Sequence, residues 1–180
     1  VRALTNLEEA RPLVITDEAR FRSTYASSAD DVIRFLQRRV APALVEDIAA
    51  DSFLAVWRRI DDLPHDPSEA RAWVFGIARR CALNALRSAG RQEALAVRIA
   101  DEPRTHLVDL ADAERVETRL DLVTAWRRLE VDDQETLALT AFDELTSGEA
   151  AEVLGITPAA YRVRLMRARR RLRDLLDQED

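Results

Sequence analysis

Apolar residues recur every three or four positions along most of this chain, and the recurrence breaks at a few prolines, glycines and polar clusters. That period predicts helices. Between Asp17 and Ala26, Phe21 and Tyr25 fall four apart on one face. Ser27, with Asp30 three residues on, reads as an N-cap separating this helix from a second, which carries Val32, Leu36 and Val40 and stops at Pro42. A third helix is predicted from Leu44 to Ile60, with Val45, Ile48, Ala49, Phe53, Val56, Trp57 and Ile60 on one stripe. Residues 61–67 hold two prolines three apart and predict a loop. A fourth helix follows from Ser68 to Ala89, with Gly90 at its C-terminal turn. Residues 91–111, with Pro103 near the middle, keep no stripe; a stretch this long is uncommon inside a compact domain and reads as a linker. The period returns near Asp112 with Val116, Leu120, Val123 and Leu129, and again from Asp132 to Glu144. The expectation is an all-α chain of two small helical domains joined by a flexible linker. It comprises an N-terminal arm (1–16), a first domain (17–90), the linker (91–111) and a second domain (112–180).

The second domain carries the sharpest local signals. Thr146 with Glu149 three residues later forms a capping box, which opens a short helix ending at Gly155. Thr157-Pro158 then caps and starts a last helix reaching Leu176. Ala151 is small enough for two helices to cross closely, Gly155 suits a left-handed turn, and Ile156 can plug the core from that turn. Tyr161, Leu165, Ala168, Leu172 and Leu175 make the buried stripe of the last helix. Together these features read as a helix-turn-helix.

Charge changes the picture from a helical hairpin to a nucleic-acid binder. The 180 residues have a net charge of −6, which alone disfavours nucleic acid. Between 161 and 173, however, stand seven Arg and no acid, mostly off the buried stripe. The N-terminal half of that helix can enter a major groove, where Arg reads guanine edges, and the later Arg cluster suits phosphates. In the first domain Arg80, Asn84, Arg87 and Arg91 form a polar track on an apolar helix near Trp73 and Phe75. A track of this kind beside aromatic rings suits single-stranded DNA, although Trp73 and Phe75 themselves read better as core.

Composition removes other classes. No apolar run approaches the ~18 residues of a membrane span. Glu8, Glu9, Asp17 and Glu18 disfavour a secretory signal at the start. One cysteine, Cys81, excludes an internal disulfide framework and suits a reducing cytoplasm. His65, His106 and Cys81 are too few for a usual zinc site, and no phosphate loop or nucleophile elbow is present. The expectation is a cytoplasmic protein without a cofactor or metal, and not an enzyme.

Three strings in order resemble a known family. ALVEDIAADSFLAVWRRI (43–60), AWVFGIARRCALNALR (72–87) and LTSGEAAEVLGITPAAYRVRLMRARRRLRDLL (145–176) are similar to regions 2 and 4 of extracytoplasmic-function (ECF) sigma factors of the sigma-70 family. The resemblance covers residues 17–178 and implies a bacterial alternative sigma factor that binds core RNA polymerase. It would direct recognition of the −35 and −10 promoter elements and DNA opening. It implies that Asp47, Ile48, Asp51, Phe53, Trp57 and Arg58 lie on the helix docking the polymerase clamp, with Phe53 and Trp57 serving mainly the core. Loop 63–69, including Pro64, His65, Asp66 and Ser68, would capture a flipped −10 base, and Arg80, Asn84 and Arg87 would hold the adjoining strand. Arg162, Val163, Arg164, Met166 and Arg167 would face the −35 duplex, and a separate anti-sigma protein would regulate the factor. The chain departs from the family pattern at Ala150, which is smaller than usual, and at Tyr161, which is larger; the two would compensate in volume. The rival readings are a stand-alone helix-turn-helix regulator that binds operator DNA without polymerase, and a module whose Arg face serves an acidic protein.

Overall fold

The computed structural model describes residues 16–88, residue 97 and residues 113–178, with side chains of the last stretch described from 121 onward. The expectations for the arm before Thr16, for Gly90 and Arg91, for the linker, and for the side chains of Val116 and Leu120 lie outside the described residues. The chain forms α1 (Asp17–Gln37), α2 (Val45–Arg58), α3 (Pro67–Ser88), α4 (Ala113–Arg128), α5 (Val131–Ala141), α6 (Ser147–Leu154) and α7 (Pro158–Leu176). No strand occurs among the described residues, and no described helix is long and apolar enough to cross a membrane.

The first lobe is α1–α3. Thr16 caps α1 by accepting from the Ala19 amide, and α1 then runs unbroken through the expected boundary at Ser27. The reason is chemical: the Ser27 and Ser28 hydroxyls donate back to the Thr24 carbonyl at 3.1 and 2.6 Å. This back-bonding lets both serines sit inside a helix instead of capping a new one. Residues 42–44 form one 3-10 turn into α2, whose Val45, Ile48, Ala49, Phe53 and Val56 pack inward against Val32, Phe35 and Leu36 of α1. Asp66 accepts from the Ser68 and Glu69 amides at 2.9 and 3.0 Å and so caps α3, with Pro67 in the first turn.

The second lobe is α4–α7. α5 ends at Ala141, three residues before the expected Glu144, because Glu144 adopts φ 54°, a left-handed conformation that no α-helix continues through. The capping box at Thr146 and Glu149 forms as the spacing predicts. Gly155 sits at φ 67°, ψ 35°, and the Ile156 amide reaches the Ala151 carbonyl to close the turn. Thr157 accepts from the Ala160 amide to cap α7. Tyr161, Leu165 and Ala168 are buried, while Leu172 and Leu175 are half-buried.

Ala150 and Tyr161, the two departures from the family pattern, are both fully buried. The Tyr161 hydroxyl donates to the Thr136 carbonyl at 2.8 Å and lies 2.7 Å from the Thr140 hydroxyl, so it ties α7 to α5. Tyr161→Phe keeps the ring and strands these partners. Denaturant unfolding should read a loss of about 1 kcal/mol, whereas an unchanged midpoint would mean the ring volume alone explains the residue.

One apolar core runs through both lobes. α3 lies against α6 so closely that a Cβ on Gly76 would stand 3.9 Å from the Val153 Cα, and the small side chains of Ala72, Ala150 and Ala151 are buried.

Candidate nucleic-acid and partner interfaces

The outward face of α2 is set by its own periodicity. With Val45, Ile48, Ser52, Phe53 and Val56 inward, Asp47, Asp51, Leu54, Trp57 and Arg58 are left on the surface. Ile48 and Phe53, two of the six residues expected to dock a partner, are therefore core residues. Trp57, expected on the buried stripe, is 44% exposed: it lies edge-on against Phe21 at 5.3 Å and shows its other side to solvent. Leu54 is equally exposed and was not among the expected residues. Its signal was available, since an apolar residue three after Asp51 and seven after Asp47 lies on their face. Tyr25, half-exposed over Phe53 at 4.7 Å, borders this patch.

The loop after α2 serves several purposes. Leu63 is buried, and its carbonyl accepts from the Arg20 guanidinium at 2.7 Å, which anchors the loop to α1. Pro64 and His65 then line an open cleft of about 650 Å³, whose other wall is formed by Thr24, Ser27, Ser28 and Arg71. The cleft has a mixed polar and apolar wall and is large enough for a planar heterocycle. Asp66 is committed to capping α3. Ser68 points away and donates to Glu149 of the second lobe at 3.1 Å.

On α3, Arg80, Asn84 and Arg87 are exposed along one track, and the Arg87 guanidinium donates to the Asn84 amide oxygen at 2.7 Å. Phe75 is core, edge-on to Phe35, whereas Trp73 is half-buried under the Arg59 guanidinium. On α7, Arg162, Val163, Arg164, Met166 and Arg167 are all exposed, and the cap at Thr157 fixes where this face begins. Farther along, Arg171 pairs with Asp133 of α5, and that hydrogen bond raises its pKa.

Sequence reasoning missed the contacts that join the lobes. Arg39, at the end of α1, pairs with Asp143 at 2.7 Å; both side chains are almost wholly buried, and Arg38 adds a second contact at 3.3 Å. Arg39 also stacks on Phe35 at 3.7 Å. Burial pushes the Arg39 pKa down, opposed by the charge and hydrogen bond of Asp143. Arg71 donates to the Asp143 carbonyl at 2.8 Å, and Arg79 grips buried Glu135 through two bonds of 2.7 and 2.8 Å.

Glu149 stands where the cap and the lobe contact meet. Burial acts to raise its pKa, but hydrogen bonds from Thr146 and Ser68 and the charge of Arg71 outweigh this and hold it below the ordinary carboxylate value. A carboxylate depressed in the folded state contributes stability above its unfolded pKa, and that contribution is lost as pH falls through the folded pKa. Glu149→Gln should therefore lower stability at neutral pH and flatten the decline on acidification. A parallel decline in both proteins, read by thermal melts across the acid range, would contradict this.

Comparison with known proteins gives a consistent result. The sigma-70 region 2 family model matches residues 24–92, and the sigma-70 region 4 model matches residues 119–172. The chain is 34% identical over 143 residues to the probable RNA polymerase sigma factor RfaY of Xanthomonas campestris pv. campestris, covering 76% of this chain but only 35% of that protein. It is 30% identical to the sigma factor CnrH of Cupriavidus metallidurans, covering 75% of this chain and 74% of CnrH. It is 28% identical to the ECF sigma factor SigM of Bacillus subtilis, covering 86% of this chain and 93% of SigM. The solved structure of CnrH in complex with the cytosolic domain of CnrY matches with a TM-score of 0.60 at 26% identity, covering 92% of each chain.

Proposed function

Since the chain belongs to the sigma-70 family of RNA polymerase sigma factors, within the ECF class, we propose that it binds bacterial core RNA polymerase and directs it to promoters. The observation that carries this reading is the division of labour between lobes. One lobe presents an exposed Trp and Leu beside acidic residues on α2, and the other an exposed Arg-rich recognition helix. A stand-alone regulator needs the second surface and has no use for the first.

In this reading Asp47, Asp51, Leu54, Trp57 and Arg58 meet the polymerase clamp, while Ile48 and Phe53 hold α2 in place. Pro64 and His65 receive a flipped −10 base in the cleft against α1. Flipping a base costs only a few kcal/mol, which a pocket and stacking can offset. Arg80, Asn84 and Arg87 hold the neighbouring single strand, Asp66 shapes the loop, and Ser68 becomes available once it leaves Glu149. Arg162, Val163, Arg164, Met166 and Arg167 face the −35 duplex. The two domains, 17–90 and 112–180, act on the two promoter elements through the linker 91–111. The factor works in the cytoplasm and has no catalytic residue of its own. A separate anti-sigma protein is its regulator, in keeping with the CnrH–CnrY complex among the structural neighbours.

The test is size-exclusion chromatography of the full chain mixed with core polymerase. Stoichiometric co-elution, lost in an Asp51→Arg variant, is the expected result. Absence of co-elution together with tight operator binding by the free chain would favour the stand-alone regulator.

A further inference from the structure

The outer face of α7 has an unusual make-up for a helix that meets nucleic acid. Tyr161, Leu165 and Ala168 mark its inward side. At 3.6 residues per turn, the positions farthest from that side in the first three turns are Ala159, Val163 and Met166, spaced by four and three. All three are exposed, Val163 at 44% and Met166 at 64%. The ridge that would enter a groove first is thus apolar, and the arginines stand beside it. Arg162 and Arg167 flank the ridge, and neither forms an ion pair among the described residues; the α7 pairs are Arg170–Asp174 and Arg171–Asp133, farther along.

An apolar ridge between free cations suits one partner chemistry. The cations call for phosphates or guanine edges, and the ridge calls for apolar surface within the same groove. In the major groove of duplex DNA that surface is the C5 methyl group of thymine. Val163 and Met166 are separated by about 4.5 Å along the helix axis, close to the rise of about 3.4 Å between base pairs, so they reach neighbouring steps. Met is also long and unbranched, which lets its thioether follow a methyl on either strand.

We propose that Val163 and Met166 are specificity-determining residues that read thymine methyl groups at two neighbouring base pairs of the −35 element, with Arg162 and Arg167 on the flanking bases or phosphates. This rests on the reading of α7 as the −35 helix. It assigns these two residues to methyl readout, which contains no hydrogen bond to a base.

The experiment uses holoenzyme assembled from the full chain and core polymerase. Bound duplexes are selected from a library randomised across the upstream and downstream elements. In the selected −35 element, each thymine is then replaced singly by deoxyuridine, which removes the methyl and leaves every hydrogen-bonding group. Two neighbouring positions should each weaken binding by about fourfold on this change, the equivalent of one buried methyl. Met166→Ala should bring the thymine-to-uracil ratio to one at one position, and Val163→Ala at the other. That ratio does not respond to a general loss of folding or affinity. A selected −35 element lacking thymine there, or bound equally well with uracil, overturns the proposal and leaves the sigma reading standing. Failure to assemble holoenzyme, or to enrich any upstream element, overturns both.

Discussion

Asp143→Ala is expected to part the two lobes. The Arg39 guanidinium is fully buried, and the Asp143 carboxylate 2.7 Å away is its anionic partner. Arginine stays protonated even where burial lowers its pKa, so removal of Asp143 leaves a buried charge whose remaining partners are the Phe35 ring and carbonyl and the more distant charge of Glu135. Breaking a buried pair from one side costs about 3–5 kcal/mol. Neither lobe needs to unfold to relieve it. Arg39 ends α1 and Asp143 lies in the turn after α5, so separation of the lobes lets water reach both. The radius of gyration in solution scattering should rise, while helical content stays near that of the parent chain. An unchanged radius and an unchanged melting midpoint would mean that Arg71, on the Asp143 carbonyl, and Arg79, on Glu135, hold the lobes without this carboxylate.

The same variant bears on function. The −10 and −35 elements are about 25 base pairs apart, which at about 3.4 Å per pair is some 85 Å. Lobes in direct contact, with Ser68 bound to Glu149, cannot reach both at once. In the proposed reading the closed form therefore has to open on the polymerase, and a variant already open should associate with it more tightly. The gain is limited by the 3–5 kcal/mol no longer spent on opening, a factor of about 150 at the lower figure. Replacing both members of the pair with apolar residues, Arg39→Met with Asp143→Leu, should restore closure and remove the gain, because buried pairs often tolerate apolar exchange.

Local chemistry made the helix-turn-helix readable before any coordinates. Thr146 and Glu149, Gly155, and Thr157-Pro158 each act within four residues, so their spacing alone predicts the elements they start or stop. Where a signal had two local solutions, the sequence misled. Ser27 can cap a new helix or bond back to Thr24, and the packing of one continuous α1 against α2 and α3 decides for the second. The end of α5 was placed too late for a related reason, since nothing in Asp143-Glu144 announces a buried ion pair or a left-handed residue. The lobe contacts were not legible at all. Arg39 and Asp143 lie 104 residues apart, and Arg79 and Glu135 lie 56 apart. In a chain that is 33% charged, no periodicity links one arginine to one acid across such distances. The α2 face was partly legible. Its acidic positions followed from the resemblance, the stripe placed Ile48 and Phe53 inward, and the spacing from Asp47 and Asp51 could have placed Leu54 outward; only Trp57, on the same stripe, turns out toward solvent instead.

That distinction separates two kinds of damage. Trp57→Ala combined with Leu54→Ala should abolish co-elution with core polymerase while leaving the chain folded. Both side chains are 44% exposed, and Trp57 has one described ring contact, with Phe21. Loss of that contact costs about 0.5–1.5 kcal/mol of stability. At an interface an exposed Trp is among the residues most often carrying binding energy, about 2–4 kcal/mol, so its loss weakens binding roughly thirty- to thousandfold. Phe53→Ala should do the reverse. Its ring is 6% exposed and packs under Tyr25, so truncation costs about 3–5 kcal/mol of folding, and any loss of polymerase binding follows from that. Melting midpoints measured beside co-elution tell the two apart. If the Leu54/Trp57 double variant still co-elutes stoichiometrically, the polymerase meets another face of the first lobe. The aromatic contacts of Phe21 and Trp57 would then be part of the fold and nothing more.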